Sequence, residues 1–251
     1  MRSHLDTTHE PARATHDRGP WPHLTRPDLP IRIVYIWRTP PGDAQAHAVD
    51  RLASAWRTIG WPVALGSLSL FTSTDGETVM AYAQLSSEPD ADALNRLSRL
   101  MTLPADTDEA PLPAPDVKTY RVARQAVQAP NAVPGIIAFI QIDTDNHDVA
   151  RTWIDAVFDA MGSEAVPPAG GLSGHFHVAL DGTRVVNYAE WESEAAHEAA
   201  LRPGGSIGTS PAWRRVREMP GTRRGSFKRY AAVLTLDVPA RVPILRGEAH
   251  V

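Results

Sequence analysis

The chain has 251 residues, of which 43% are hydrophobic and 22% charged, with a net charge of −4 and no cysteine. That length holds one large domain or two small ones, and the balance is that of an ordinary soluble globular protein. It gives no basic footprint for nucleic acid, and the lack of thiols excludes disulfides, thiolate nucleophiles and cysteine-ligated metal clusters.

No apolar run is long enough to cross a bilayer, and the first residues lack the apolar core of a secretion signal. A cytoplasmic location without a membrane partner is therefore expected. Residues 1–29 are rich in His, Pro, Thr and charge and read as a flexible tail. Their scattered histidines are read as solvated rather than as a metal chelator, and Trp21 as a residue that docks on the body. Ile31 to Trp37 alternates and is β-branched, which predicts a strand. Val49, Leu52, Ala53, Trp56 and Ile59 fall at helical spacing, so Ala44 to Ile59 is an amphipathic helix with Gly60 as a left-handed cap. Ser67 to Ser73, the turn Asp75-Gly76 and Glu77 to Leu85 form a hairpin. Asp-Gly suits a two-residue turn of the mirror-image type, which needs positive φ. Ser87 and Asp90 resemble a capping box, with Pro89 in the first turn of the next helix. Pro104 to Pro115 reads as loop, and Lys118 to Ala126 as a closing strand.

The order βαββαβ then returns. Ile136 to Asp143 is a strand, and Val149, Trp153, Val157 and Met161 line a helix closed by Gly162. His175 to Leu180, Asp181-Gly182 and Thr183 to Trp191 form a second hairpin. Ser193 is placed as the N-cap of the next helix, followed by a loop with Gly204, Gly205 and Gly208, a short helix near Pro211 to Glu218, and a strand from Ser226 to Leu236. At the offset that superposes the two Asp-Gly turns, Tyr82 falls on Tyr188, Ala83 on Ala189, Glu88 on Glu194 and Ile31 on Ile137. Recurrence at one offset is the mark of a duplicated unit. A lone βαββαβ sheet leaves one face bare, at about 25 cal/mol per Å² of apolar surface. The expectation is an α+β chain of two tandem ferredoxin-like repeats packed sheet to sheet as an intramolecular dimeric α/β barrel. Its parts would be a tail (1–29), a degenerate scaffold repeat (30–126), a linker (127–134), a repeat with the candidate pocket (135–238) and a second tail (239–251). Whether this internal pseudo-dimer stays a monomer or pairs again as a homodimer is left open.

Strand alternation puts Val185, Asn187, Ala189 and Trp191 on one face, with Phe176 opposite Asn187 and Val178 opposite Val185. This wall joins apolar and aromatic surface to one carboxamide and one indole N–H, which suits a flat aromatic ligand bearing a carbonyl. His175, His177, Tyr188 and Glu190 take the other face. They read as a polar network at the interface between sheets rather than a metal site. The corresponding first-half positions are Ala81 and Leu85 for Asn187 and Trp191, and Ser69 and Phe71 for the two histidines. One functional pocket, in the second half, is therefore expected.

The run DGTRVVNYAEW (181–191), followed by a helix with His197, resembles the antibiotic biosynthesis monooxygenase family of dimeric α/β barrels. RPDLP (26–30), GHFHVALDGTRVVNYAEW (174–191) and KRY (228–230) are similar to its tandem, actinomycete-type members. The resemblance spans roughly residues 31 to 236. It implies a cofactor-independent monooxygenase of secondary metabolism acting on an aromatic polyketide-type substrate, anthrone- or phenol-like, with molecular oxygen as co-substrate. No metal, flavin or haem is implied. Asn187 and Trp191 match the family's pocket Asn and Trp, while His197 stands where the family usually has Tyr. Arg214, or Arg215, aligns with its Arg. In that scheme Asn187 and Trp191 donate to a developing oxyanion, His197 takes the proton, and Arg214 holds a phenolate or carboxylate, while Phe176 and Val178 bind the substrate. The competing readings are a polyketide cyclase or other non-oxidative tailoring enzyme on the same fold, and a non-catalytic small-molecule-binding accessory protein. Haem degradation ranks low, because Ile136 to Asp143 contains no Asn.

Overall fold

The computed structural model describes residues 19–58, 60–102, 113–164, 166–202, 205, 207 and 210–238. The expectations for 1–18, most of the 104–115 loop, Gly204, Gly208 and 239–251 lie outside the described residues. Thirteen elements follow in order: β1 (Ile31–Arg38), α1 (Ala44–Thr58), β2 (Leu65–Ser73), β3 (Thr78–Leu85), α2 (Ala91–Met101), β4 (Asp116–Val127), β5 (Ile136–Thr144), α3 (His147–Ser163), β6 (Gly171–Ala179), β7 (Arg184–Trp191), α4 (Glu194–Leu201), α5 (Pro211–Arg217) and β8 (Thr222–Asp237).

The eight strands close into a barrel in the order β1-β3-β2-β8-β5-β7-β6-β4. Every neighbouring pair is antiparallel. Within each half, the fourth strand lies beside the first and the third between the first and second. The ladders β2–β8 and β4–β6 join the halves, so neither half keeps a free edge.

Alternation along the strands fills two layers. Inward residues from both halves meet inside the barrel: Tyr82 lies 5.4 Å from Tyr188, and Phe71 lies 6.1 Å from it edge-on. Outward residues meet the helices. In the first half Leu52 and Trp56 of α1 and Leu97 of α2 cover Ala81, Ala83 and Leu85, all buried. In the second half α3 and α5 cover Phe176, Val178 and Val185, and Ala200 of α4 packs with Ala189 and Trp191.

Several local expectations are corrected. Residues 19–29 are packed rather than free: Trp21, Leu24 and Leu29 are buried, and Thr235 Oγ1 donates to Pro20 O at 2.7 Å. Trp21 docks against Phe71 at 6.2 Å, because an indole left in water would expose a large apolar face. Both Asp-Gly turns differ from the mirror-image type, since only the glycines have positive φ: 78° at Gly76 and 70° at Gly182. Each glycine N–H closes a four-residue turn, onto Ser73 O and Ala179 O, with the left-handed glycine at its end. Gly60 is not left-handed, and α3 runs one residue past Gly162. The cap of α2 is Asp90, whose side chain accepts from Ala93 N–H, which leaves Pro89 outside the helix.

Candidate functional site

Between the outer face of β6 and β7 and helices α3, α4 and α5 lies a cavity of about 320 Å³. Its floor is Ile140, Gly174, Phe176, Asn187, Ala189 and Trp191, the outward set of three strands. Phe176 and Asn187 are cross-strand partners, as alternation requires. Helix α3 adds Trp153, Val157 and Met161, which share a face at i, i+4 and i+8. The N-cap Asn146, whose Oδ1 accepts from the N–H groups of Asp148 and Val149, fixes where that helix begins. Helix α4, capped by Ser193, contributes His197 and Leu201, and α5 contributes Trp213, Val216 and Arg217.

The polar atoms in this apolar chamber are mostly idle. Asn187 Oδ1, Trp191 Nε1 and Trp213 Nε1 are buried without a hydrogen-bond partner. Native interiors rarely leave such groups unpaired, and a ligand with an oxygen acceptor for the indoles and a hydroxyl for the carboxamide oxygen is the natural remedy. Asn187 carries a carboxamide that can turn either its amine or its carbonyl to the cavity.

His197 is 3% exposed. Its ring meets Trp191 edge-on at 4.8 Å and lies 5.6 Å from Phe227. Arg229 Nε donates to its Nδ1 at 3.1 Å, and the Arg229 guanidinium also pairs with Glu194 at 3.0 Å and Glu198 at 3.4 Å. Burial, then the Arg229 charge, pull the imidazole pKa down to about 4 against a weaker pull from Glu194. The ring is therefore neutral near pH 7. With Nδ1 accepting, its proton sits on Nε2, the nitrogen left for a ligand.

Of the six residues assigned from sequence, Asn187, Trp191, His197 and Phe176 line the cavity, and Val178 and Arg214 do not. Val178 lies two residues beyond Phe176 on the same strand face, which carries it into the packed cluster under α3. Arg214 is exposed because the α5 face turned inward carries 213, 216 and 217; at about 100° per residue, 214 points elsewhere. Arg215 is exposed for the same reason, and Arg217, also exposed, is the arginine of α5 that lines the cavity. Trp213 and Arg229 were missed from sequence. The helical phase of α5 could have revealed Trp213, but no local signal links Arg229 to His197.

The inward face divides its histidines. His177 Nε2 meets Tyr82 OH, which also accepts from Arg32 Nε at 2.9 Å. Burial, Arg32 and His175 push the His177 pKa well below its ordinary value. His175 Nε2 meets Ser173 Oγ at 3.0 Å, and that hydroxyl donates to Glu190 Oε2 at 2.6 Å. Among the described residues no group of three His, Asp or Glu is placed to hold a metal ion. The glycine loop's described part is bound into the fold: Gly205 N–H donates to Arg202 O at 2.7 Å. A Cβ there would meet Ala200 O at 2.4 Å. Among the described residues no helix is long and apolar enough to cross a membrane.

No family model and no curated protein matches the chain. Solved structures do. An anthrone oxidase-like protein superposes with a TM-score of 0.64 at 14% identity, over 86% of this chain and 96% of its own. A candidate monooxygenase from Lactobacillus acidophilus NCFM gives 0.51 at 8% identity, over 83% and 96%. Another, from Fusobacterium nucleatum subsp. nucleatum ATCC 25586, gives 0.50 at 6% identity, over 84% and 96%. At these identities the likeness speaks to the fold alone.

Proposed function

We propose that the chain is a cofactor-independent monooxygenase acting on a flat, anthrone- or phenol-like aromatic compound of the polyketide type. The observation that supports this best is the trio of idle polar groups, Asn187, Trp191 and Trp213, buried in a chamber walled by aromatic and aliphatic side chains. Such a chamber matches a planar hydrocarbon skeleton that carries oxygen acceptors. The monooxygenase-type names of the structural neighbours point the same way.

The reaction converts a doubly activated CH₂ and O₂ into C=O and H₂O. Loss of a proton from the carbon leaves an enolate. Asn187, Trp191 and the Nε2–H of His197 donate to its oxygen, which lowers the barrier because the charge develops where fixed donors already point. The enolate gives one electron to O₂, the pair recombines as a peroxide, and the peroxide loses water to form the ketone. The enolate is itself the reductant, so O₂ is the only co-substrate and no metal or organic cofactor takes part.

The architecture is read as two tandem ferredoxin-like repeats closed into an intramolecular dimeric barrel in the cytoplasm. The shared strand order of the halves supports the duplication, with the second repeat catalytic and the first, its Ala81 and Leu85 buried in the core, as scaffold.

Oxygen uptake with a panel of anthrone-type compounds, and ¹⁸O₂ label in the product, test the proposal. Wild type is expected to incorporate one labelled atom, and Asn187→Ala to lower kcat about 10²-fold, the cost of losing one oxyanion donor. Turnover of the panel without oxygen uptake would replace the oxygenase with a cyclase-type tailoring step. Binding without turnover would leave an accessory protein.

A further inference from the structure

On the inner side of the same strands lies a second, more polar cavity of about 500 Å³, lined in part by His23, Thr25, Asn131 and His175. The two cavities share two lining residues, Ser173 and Glu190. These face each other across the β6–β7 ladder, at the point where its register slips between Gly171 and Ser173. Strict alternation would confine Glu190 to the inner side with Tyr188. The ladder is irregular at this pair, a feature common beside active sites, and the buried acid Glu190 lines both spaces.

We propose that Glu190 takes the proton from the substrate carbon, and that Ser173 and His175 connect it to water in the second cavity. This rests on the oxygenase reading above. That reading needs a proton acceptor in the apolar cavity, and the candidates there are few. His197 presents an N–H, since its Nδ1 accepts from Arg229. Arg217 has no acceptor atom. Glu190 is 4% exposed, accepts from Ser173 Oγ at 2.6 Å, and that hydroxyl meets His175 Nε2 at 3.0 Å. The three form one continuous chain ending on a wall of the second cavity, with both spacings short enough for proton transfer.

In the forward step the Glu190 carboxylate gains the proton and the carbon keeps the electron pair as an enolate. After O₂ adds, Glu190 returns that proton to the peroxide anion. It then takes the second hydrogen of the same carbon. The C–H electron pair becomes the C=O bond, the O–O bond breaks, and the departing hydroxide takes the proton from Glu190 and leaves as water. Carbon is oxidised, oxygen is reduced, and no net proton leaves the site. Aerobic turnover therefore needs Glu190 but not the relay. Exchange of the carbon-bound hydrogen with solvent needs both.

The test is deuterium wash-in from D₂O into anthrone under anaerobic conditions, beside aerobic oxygen uptake. Wild type is expected to exceed the buffer rate in both. Glu190→Gln, which keeps an acceptor for Ser173, is expected to lose both by about 10²-fold or more. Glu190→Asp restores part of each if the carboxylate is what matters, which also covers poor folding of the Gln variant. Ser173→Ala is expected to slow both, because its hydroxyl also bonds Glu190, but to cut wash-in at least tenfold more than oxygen uptake. Unchanged rates in Glu190→Gln, with wild type active, overturn the assignment of Glu190 and leave the oxygenase reading intact. An equal fall of both rates in Ser173→Ala overturns the relay. A wild type inert in both assays overturns the oxygenase reading and this one with it.

Discussion

At the scale of single residues, the site is marked by what it leaves undone. A buried donor without a partner costs about 1–3 kcal/mol of desolvation, so the unpaired indole N–H groups of Trp191 and Trp213 are a cost the free protein carries. Trp213→Phe keeps an aromatic ring and deletes the N–H. Its expected effect is about a tenfold weaker ligand affinity, the worth of one neutral hydrogen bond, with the urea midpoint unchanged or slightly raised. Titration calorimetry with an anthrone analogue and equilibrium denaturation check the two halves. A lower midpoint with unchanged affinity would make Trp213 a packing residue. Strand alternation put Asn187, Trp191 and Phe176 on one face, because period two leaves no choice of face, and the family resemblance singled out the first two. Alternation failed one step along for Val178, where the cavity ends. Arg214 does not line the cavity: a seven-residue helix gives alignment little to hold, whereas its phase, 213 with 216 and 217, is unambiguous once its start at Pro211 is known.

At the scale of elements, the strands and hairpins followed from their sequences and the turn chemistry did not. Asp-Gly signalled both hairpins, but Asp75 instead turns its side chain back to accept from Glu77 N–H, and only the glycine goes left-handed. The two turns make a controlled pair. A Cβ on Gly76 would meet nothing within 4 Å, so Gly76→Ala pays only for its φ of 78°, about 1–2 kcal/mol. A Cβ on Gly182 would stand 2.6 Å from His147 N, at the first turn of α3. Gly182→Ala therefore adds a backbone clash to similar strain and is expected to cost clearly more. It also displaces the helix carrying Trp153, Val157 and Met161 into the cavity, so ligand affinity falls in this variant and holds in Gly76→Ala. Equal costs, measured by denaturation of the two variants, would mean that α3 starts elsewhere. The KRY motif was visible in sequence but its use was not, since each side chain acts on a distant element. Lys228 bridges Asp75 and Glu77, Arg229 holds His197, and Tyr230 OH accepts from Thr78 Oγ1 at 3.1 Å inside the barrel.

At the scale of the whole molecule, closing a barrel buries polar groups that an open sheet would leave wet, and this sets a pH dependence. His177 in the interior and His197 beside the cavity both have pKa values lowered by burial, that of His197 to about 4. Below pH 6.5 the unfolded chain binds protons at these two positions that the folded chain refuses, at His197 down to about pH 4. Stability therefore rises with pH across that window, is complete above 6.5, and is lost as pH falls through it. The slope is at most about 1.4 kcal/mol per pH unit for each histidine. Asp75 and Asp181, lowered by Lys228 and Lys118 against their own desolvation, act in the same direction but only below the ordinary carboxylate range. Urea denaturation at pH 7.5, 6.5, 5.5 and 4.5 separates the two windows. The first two values should differ by under about 1 kcal/mol, and the last two should fall by more. His197→Gln keeps an acceptor for Arg229 and removes one titration, so its curve should be shallower without becoming flat, because His177 remains. A wild-type free energy constant from 6.5 to 4.5 would mean that both imidazoles take protons in the folded chain as readily as in the unfolded one, and that burial does not hold them neutral.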